Sequence, residues 1–279
     1  DPATTEIYTL SLPAALPISA FCTYFCMYAF RKPVFAAQFE GAGTGFAGME
    51  LKTAFAISQI IGYTISKYVG IKVCSEMSRG RRASCLVLLI LAAEMALFFF
   101  AFLPGNWKIV AIFANGLPLG MVWGLVVWHL EGRRTSELLL AGLSCSCIVA
   151  GGVVKDVGRF LIRDLQVSEW WMPSLTGLIF LVPFLVSVWL LNQIPQPSEA
   201  DVRSRVAREP MRGPARREFI KRFGPGLILL MVVYFFLTAF RDFRDLYGVE
   251  IFKELGYQQE PALFTKAEFL VALGVLAAL

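Results

Sequence analysis

Residues 84–103 read SCLVLLILAAEMALFFFAFL, and this stretch carries a single charged side chain, that of Glu94. A helix needs ~20 mostly apolar residues to cross a bilayer, and this stretch is long enough to do so. Similar stretches occur near 16–39, 53–71, 108–130, 137–160, 172–192 and 223–248, and another begins near 265. The sequence therefore predicts an all-α, polytopic membrane protein.

The composition excludes several other classes of protein. Of the 279 residues, 57% are apolar and 17% are charged, whereas soluble domains average ~45–50% and ~25%. The mean hydropathy of +0.62 agrees with this shift toward lipid. A single histidine, His129, and six cysteines without a C-x-x-C pair provide neither a nucleophile–base pair nor a metal site. We expect no enzyme, no metal or other cofactor and no nucleic-acid partner.

The two ends of the chain differ from the rest. Residues 1–19 resemble a translated sequencing-adapter read-through and are treated as a non-native leader, with an ordinary amphipathic leader as the alternative. The last residues stop inside an apolar run that is shorter than a membrane span. We therefore expect this chain to be a fragment of a longer gene.

Basic residues predict the orientation of the spans. Lys and Arg concentrate in the joints after spans 2, 4 and 6, and cytoplasmic loops hold such an excess. This places the N-terminus in the cytoplasm, and we expect a bacterial inner membrane.

Residues 20–192 form the predicted N-terminal six-helix bundle, 193–222 a basic cytoplasmic linker, and 223–279 the first two helices of a C-terminal bundle. The linker arginines either are simply solvated or have a regulatory or lipid-headgroup role.

One motif of the first span recurs in the seventh. Tyr24-Phe25-x-x-x-Ala29-Phe30-Arg31 returns as Tyr234-Phe235-x-x-x-Ala239-Phe240-Arg241. On a helix, Tyr24, Tyr28 and Arg31 share one face, and so do Tyr234, Thr238 and Arg241. An arginine deep in a bilayer costs at least ~2.5–3.5 kcal/mol, so each should face a cavity or an anion. Two guanidinium groups converging on a dianion fit this pattern. The alternative is that both arginines snorkel or pair with acids such as Glu94 and Asp242.

Four stretches resemble one branch of the major facilitator superfamily, the organophosphate:phosphate antiporters, which include glycerol-3-phosphate transporters. They are Tyr28-x-x-Arg31-Lys32, Asn115-Gly116-x-x-x-Gly120-Met121-x-Trp123, Arg241 to Lys253-Glu254, and the cytoplasmic motif with Gly70, Glu76, Arg79, Gly80, Arg81 and Arg82. The resemblance implies twelve helices in two bundles that alternate in access, with this chain holding the complete first bundle and the start of the second. It also implies phosphate binding by Arg31 and Arg241, with Lys32 beside the first. Cys147 stands where that family has a histidine, which favours a divergent member.

Structural roles explain several other charged residues and glycines. Glu94 is a candidate for proton coupling, although a protonated or hydrogen-bonded helix–helix contact is the favoured explanation. Lys155-Asp156-x-x-Arg159 has the spacing of a structural pair within one helix. Gly116 and Gly120 allow another helix to approach closely.

The leading functional hypothesis is a monomeric secondary transporter of a small anionic solute, with a phosphorylated solute favoured. Arg31, Lys32, Arg241, Tyr24, Tyr28 and Tyr234 are the predicted substrate-binding residues. One alternative is a proton-coupled carrier of a neutral solute that uses Glu94. Another is a membrane sensor of the same fold that binds a ligand but does not transport it.

Overall fold

The computed structural model consists of helices joined by short connections, and the residues that it describes contain no strand beyond one isolated bridge between Thr44 and Glu50. Those residues are 17–39, 43–45, 48–130, 136–193, 213–257, 260 and 262–278. Residues 1–16 of the expected leader and 194–212 of the expected linker lie outside this description. Residues 17–19 and 213–222, at the edges of those two segments, are helical.

Eight helices are named here in chain order. Helix α1 comprises Pro17–Phe30, and its last turn, Tyr28–Phe30, is a 3-10 helix. The others are α2 (Leu51–Glu76), α3 (Arg79–Phe102), α4 (Trp107–Leu130), α5 (Ser136–Arg163), α6 (Met172–Asn192), α7 (Gly213–Glu254) and α8 (Leu263–Ala278).

Five helices in the described part of the chain, α3 to α7, are long and apolar enough to cross a membrane. Helix α2, with 26 residues, occupies the predicted second span, and α1 is a shorter apolar helix. These helices confirm the predicted class, an α-helical membrane protein with several spans.

The first span is interrupted, although the sequence predicts one uninterrupted span over 16–39. Proline lacks the N–H that an α-helix needs, and it disfavours the helical conformation of the residue before it. Near Pro33, the amides of Arg31 and Lys32 therefore both donate to the Tyr28 carbonyl, at 3.1 and 2.9 Å. A separate 3-10 turn, Pro33–Ala36, follows. Arg31 and Lys32 consequently lie in a break rather than on a continuous helix face.

Helices α2 and α4 approach each other closely through glycine, as the sequence predicts. A Cβ added to Gly116 would lie 2.4 Å from the Gln59 carbonyl oxygen, and one added to Gly120 would lie 2.5 Å from that of Tyr63. Neither distance leaves room for a side chain, because the obstructing atoms belong to the backbone. Close contact between small residues is how membrane helices pack in the absence of a hydrophobic driving force.

Helices α7 and α8 contact the bundle differently. Helix α8 packs on α5, where the Asp156 carboxylate accepts hydrogen bonds from the Thr265 amide at 2.7 Å and from its hydroxyl at 2.6 Å. Asp156 therefore caps the first turn of α8, in addition to its predicted pairing with Arg159 at 3.9 Å. The most apolar window of α7 contains no buried residue, and α7 meets the bundle through its second half.

Candidate functional site

A buried amide cluster holds the break after α1 in place. The Asn115 Nδ2 donates to the carbonyl oxygens of Phe30 and Ala93, both at 3.0 Å. The Gln59 Nε2 donates to the Asn115 Oδ1 at 2.9 Å and to the Arg31 carbonyl at 3.2 Å. The broken helix leaves the Phe30 and Arg31 carbonyls without their usual helical partners, and buried carbonyls need partners, whereas the Ala93 carbonyl belongs to the continuous helix α3. The amide cluster therefore fixes the backbone that presents Arg31 and Lys32.

Three buried charged side chains meet where α5, α7 and the break after α1 come together. The Lys32 ammonium forms an ion pair with the Asp245 carboxylate. The Lys155 Nζ donates to the same carboxylate at 2.7 Å and to the Asp245 main-chain carbonyl at 3.0 Å. Two buried cations thus share one carboxylate, so these three side chains have an excess of positive charge, and the buried Glu268 in electrostatic range of Lys155 is itself paired with Arg244 at 2.6 Å. We call Lys32, Lys155 and Asp245 the charged cluster.

Arg31 lies next to this cluster and stacks on an aromatic ring. Its guanidinium carbon is 4.2 Å from the centroid of the Tyr63 ring, a cation–π distance. Its Nε is buried and has no hydrogen-bond partner within the described residues. A buried donor without a partner is costly, so a hydrogen-bond acceptor that reached this atom would stabilise it.

Predicted aromatic neighbours of Arg31 lie beside it. The Tyr24 ring centroid is 5.5 Å from that of Tyr28 and 4.8 Å from that of Trp123, both in edge-on geometry. Both tyrosines are within electrostatic range of Arg31 and of the Cys147 thiol. Cys147, which stands where the phosphate antiporters have a histidine, therefore belongs to the same group of side chains.

The two residues predicted on α7 are placed differently. Arg241 pairs with its neighbour Asp242 at 3.1 Å, and its side chain is 58% exposed. Arg241 is within electrostatic range of Tyr28, Cys147 and Asp245. It therefore lies at the border of the site and does not converge with Arg31 on one point. Tyr234 is 68% exposed on the free part of α7. The described structure brings Arg31, Lys32, Tyr24 and Tyr28 together, and it leaves Tyr234 outside this group.

A second set of contacts links α2 to α7 beside the charged cluster. The Lys52 Nζ donates to the Glu250 carboxylate at 2.6 Å, and the Lys52 side chain is 1% exposed. The Thr53 and Tyr247 hydroxyls are 2.9 Å apart and hydrogen-bonded. Helix α7 is therefore joined to the bundle by polar and charged groups over residues 245–250.

Glu94 lies in the contact between α3 and α6. The Ser174 hydroxyl donates to its Oε1 at 2.6 Å, and its Oε2 is buried without a hydrogen-bond partner among the described residues. A Cβ added to Gly177 would lie 2.1 Å from this Oε2. The glycine therefore provides the space that the carboxyl group occupies.

The residues of the predicted cytoplasmic motif lie at the junction of α2 and α3. A Cβ added to Gly70 would lie 2.7 Å from the Met121 Cγ, so this glycine is a packing residue. The Arg82 guanidinium lies 4.3 Å from the Trp128 ring centroid. Gly80 and Arg81 are exposed, and the side chains of Glu76 and Arg79 lie outside the described part of the structure.

Sequence reasoning missed several partners in this site. Gln59, Tyr63 and Asp245 have no predicted role, and Lys155 enters only as the neighbour of the predicted Asp156–Arg159 pair. A buried amide and a lysine inside predicted spans were available as signals, because polar groups in a membrane need partners. Their partners lie on other helices, so the pairings themselves needed the three-dimensional structure.

Metal chemistry has no visible support in the described residues. Among them, no group of three or more His, Cys, Asp or Glu side chains is arranged to hold a metal ion. All six cysteines are free thiols. The groups that the described site presents are cationic and hydrogen-bonding side chains.

Comparison with known protein families gives one match. Residues 33–279 match the model of a family of unknown function, DUF5690. The chain belongs to this family. The match includes the charged-cluster residues Lys155 and Asp245. No curated protein and no solved structure matched the chain. The family description names no activity.

Proposed function

We propose that this protein is a secondary transporter of the major facilitator type that moves a small anionic solute by alternating access. A phosphorylated solute is favoured. The observation that carries the proposal is the excess of buried positive charge between the bundle and α7. Lys32 and Lys155 share the single carboxylate of Asp245, and Arg31 lies beside them with an unpartnered Nε.

The charge balance favours an anion as the ligand. Burying a charge in a protein is expensive unless an opposite charge and hydrogen bonds compensate it. The surplus cation in this cluster and the free donor of Arg31 would both be satisfied by a phosphate or carboxylate group. Guanidinium groups bind such oxygens in a bidentate manner, and Arg241 borders the same space.

The contacts of α7 support an alternating mechanism. Its second half is held by Lys32, Lys155 and Lys52, while its apolar first half is unburied. Ion pairs between two bodies exchange partners more readily than interdigitated apolar side chains, because water and ligand oxygens can replace each carboxylate. An arriving anion would compete with Asp245 for the lysines and loosen this connection.

Charge distribution supports a cytoplasmic N-terminus, and we propose a bacterial inner membrane as the location. Exposed basic residues stand at the start of α3 (Arg81) and at the start of α7 (Arg216, Arg217, Lys221). The positive-inside rule assigns this end to the cytoplasm. The charged cluster then lies toward the opposite face.

One observation favours the second candidate, a proton-coupled carrier. The Glu94 Oε2 is buried and unpartnered, which is the environment of a carboxyl group that carries a proton. Glu94 would then couple proton movement to a neutral solute.

Phosphate exchange in vesicles tests the first proposal. Reconstituted protein in phosphate-loaded vesicles should exchange labelled external phosphate, and Arg31→Lys should abolish this exchange because lysine lacks the planar fork. Arg217→Lys, at an exposed basic site on α7, is the matched control and should exchange normally.

Three results would contradict the anion transporter. Normal exchange by Arg31→Lys would show that the arginine does not bind the anion. Phosphate binding by wild type without exchange would indicate a sensor. Uptake that depends on a pH gradient and is lost in Glu94→Gln would indicate the proton-coupled carrier.

A further inference from the structure

A surface groove of about 400 Å³ lies between α3 and α6, two helices that contribute no residue to the charged cluster. Each helix supplies one stripe of residues, because positions i, i+3, i+4 and i+7 share a helix face. Val188 is buried and forms the floor, whereas the apolar walls are partly exposed. The stripes include Ser84, Leu88 and Leu91 on α3 and Leu185, Val188 and Asn192 on α6.

The position of the groove matches one leaflet of a bilayer. It begins near the start of α3 and the end of α6, where Ser84 and Asn192 provide polar groups. From Ser84 to Leu91 the helix rises about 10 Å, which fits within the ~15 Å of hydrocarbon in one leaflet. Trp189 lines the same end and is 61% exposed, and tryptophan prefers the membrane interface. The groove therefore runs from the headgroup level toward the membrane centre.

Positive charge stands at the polar end of the groove. Arg81 is exposed and lies three residues before Ser84 and seven before Leu88, on the same face of α3. Arg82, beside it, is buried against Trp128 of α4 and is not part of this exposed end. The groove thus combines an apolar channel with a cationic head, which is complementary to a negatively charged lipid.

We propose that this groove binds a phospholipid with an anionic headgroup, with one acyl chain between Leu88 and Leu185 and the phosphate at Arg81. A zwitterionic phospholipid has the same chain but no net negative charge. The cationic end therefore favours the anionic lipid, while the apolar walls accept the acyl chain of either lipid.

Lipid retention measured by native mass spectrometry tests this site. The whole chain, purified in neutral detergent, is titrated with phosphatidylglycerol or phosphatidylcholine. Wild type should retain phosphatidylglycerol in preference. Arg81→Gln should weaken that retention about fivefold, the loss expected for one cation near an anionic headgroup. Ala83→Phe, which fills the groove wall, should lower the retention of both lipids.

Two control variants distinguish lipid binding in this groove from non-specific attraction of lipids to the protein. Lys221→Gln removes an exposed cation of α7, and Leu178→Phe enlarges an exposed α6 residue outside the groove lining. Both should behave as wild type. Equal retention of the two lipids by wild type, or equal losses in Arg81→Gln and Lys221→Gln, would overturn the proposal. Unchanged lipid retention in Ala83→Phe would place the lipid elsewhere.

Discussion

Lys155 of α5 and Asp245 of α7 meet at 2.7 Å inside the protein, and the Lys155 side chain is 2% exposed. Lys32 binds the other oxygen of the same carboxylate. A charge in such surroundings is tolerated only when it is paired. This carboxylate therefore stabilises two cations from separate parts of the bundle, and its loss should be costly.

Replacement of Asp245 by asparagine should strongly destabilise the protein, because two buried ammonium groups lose their counter-charge. Removal of one partner of a buried pair typically costs about 3–5 kcal/mol of unfolding free energy. Asp242→Asn is the matched control on the same helix, since its partner Arg241 is mostly exposed, and it should cost under ~1 kcal/mol. Denaturant titration in mixed micelles measures both. Equal losses in the two variants would show that burial of the charged cluster is energetically unimportant.

Asn115→Leu should lower the melting temperature, because the leucine leaves the Phe30 carbonyl at the break without its donor. Each buried group left unsatisfied costs about 1–3 kcal/mol. Ser144→Ala removes a hydroxyl that is exposed and bonds within its own helix, so its melting temperature should stay near that of wild type. Equal melting temperatures for Asn115→Leu and Ser144→Ala would show that the amide cluster does not hold the break after α1.

Gly116→Ala should reduce the yield of folded, monodisperse protein, because its new Cβ would lie 2.4 Å from a backbone oxygen of α2. Gly151→Ala, in α5, meets nothing within 4 Å and serves as the control. Alanine is a better helix former than glycine by about 1 kcal/mol in a helix interior. Gly151→Ala should therefore match or exceed wild type in a size-exclusion assay. Comparable yields from both variants would contradict the close packing of α2 and α4.

Reversal of the Lys52–Glu250 pair should restore what each single change removes. Lys52→Glu places two acids together in a mostly buried contact, and Glu250→Lys places two cations there. In the double variant Lys52→Glu/Glu250→Lys, opposite charges face each other again. A double-mutant cycle on unfolding free energy should give a coupling of about 0.5–3 kcal/mol. A coupling near zero would mean that this contact does not hold α7 on the bundle.

Glu94→Gln should leave stability close to that of wild type, since glutamine has the same shape and can still accept from the Ser174 hydroxyl. Gly177→Ala should be destabilising, because its Cβ would lie 2.1 Å from the carboxyl oxygen and the group would have to move. Thermal unfolding of the two variants compares them directly. A stable Gly177→Ala with an unstable Glu94→Gln would contradict this account of the α3–α6 contact.

The membrane class and most helix positions could be predicted because they depend on local composition. A span such as residues 84–103 is apolar along its length, and lipid accepts a helix of that kind whatever its neighbours are. Close packing at Gly116 and Gly120 was likewise predictable, since a missing side chain lets any helix approach. The break at Pro33 was open to prediction too, because proline disrupts a helix through its own covalent structure.

The charged cluster could not be predicted in the same way. Lys155 has no acid three or four residues away on its own helix, and its partner Asp245 lies on α7. Asp156 follows it in the chain and instead caps α8. Similarly, the motif shared by the first and seventh spans indicated that Arg31 and Arg241 matter, but it did not indicate that Arg241 pairs with Asp242. Hydropathy and proline chemistry act within one helix, and they define this protein as a bundle of membrane helices with a broken first span. Which buried cation meets which carboxylate depends on how helices distant in sequence pack, because a charge inside the bundle must find its partner wherever the fold places one.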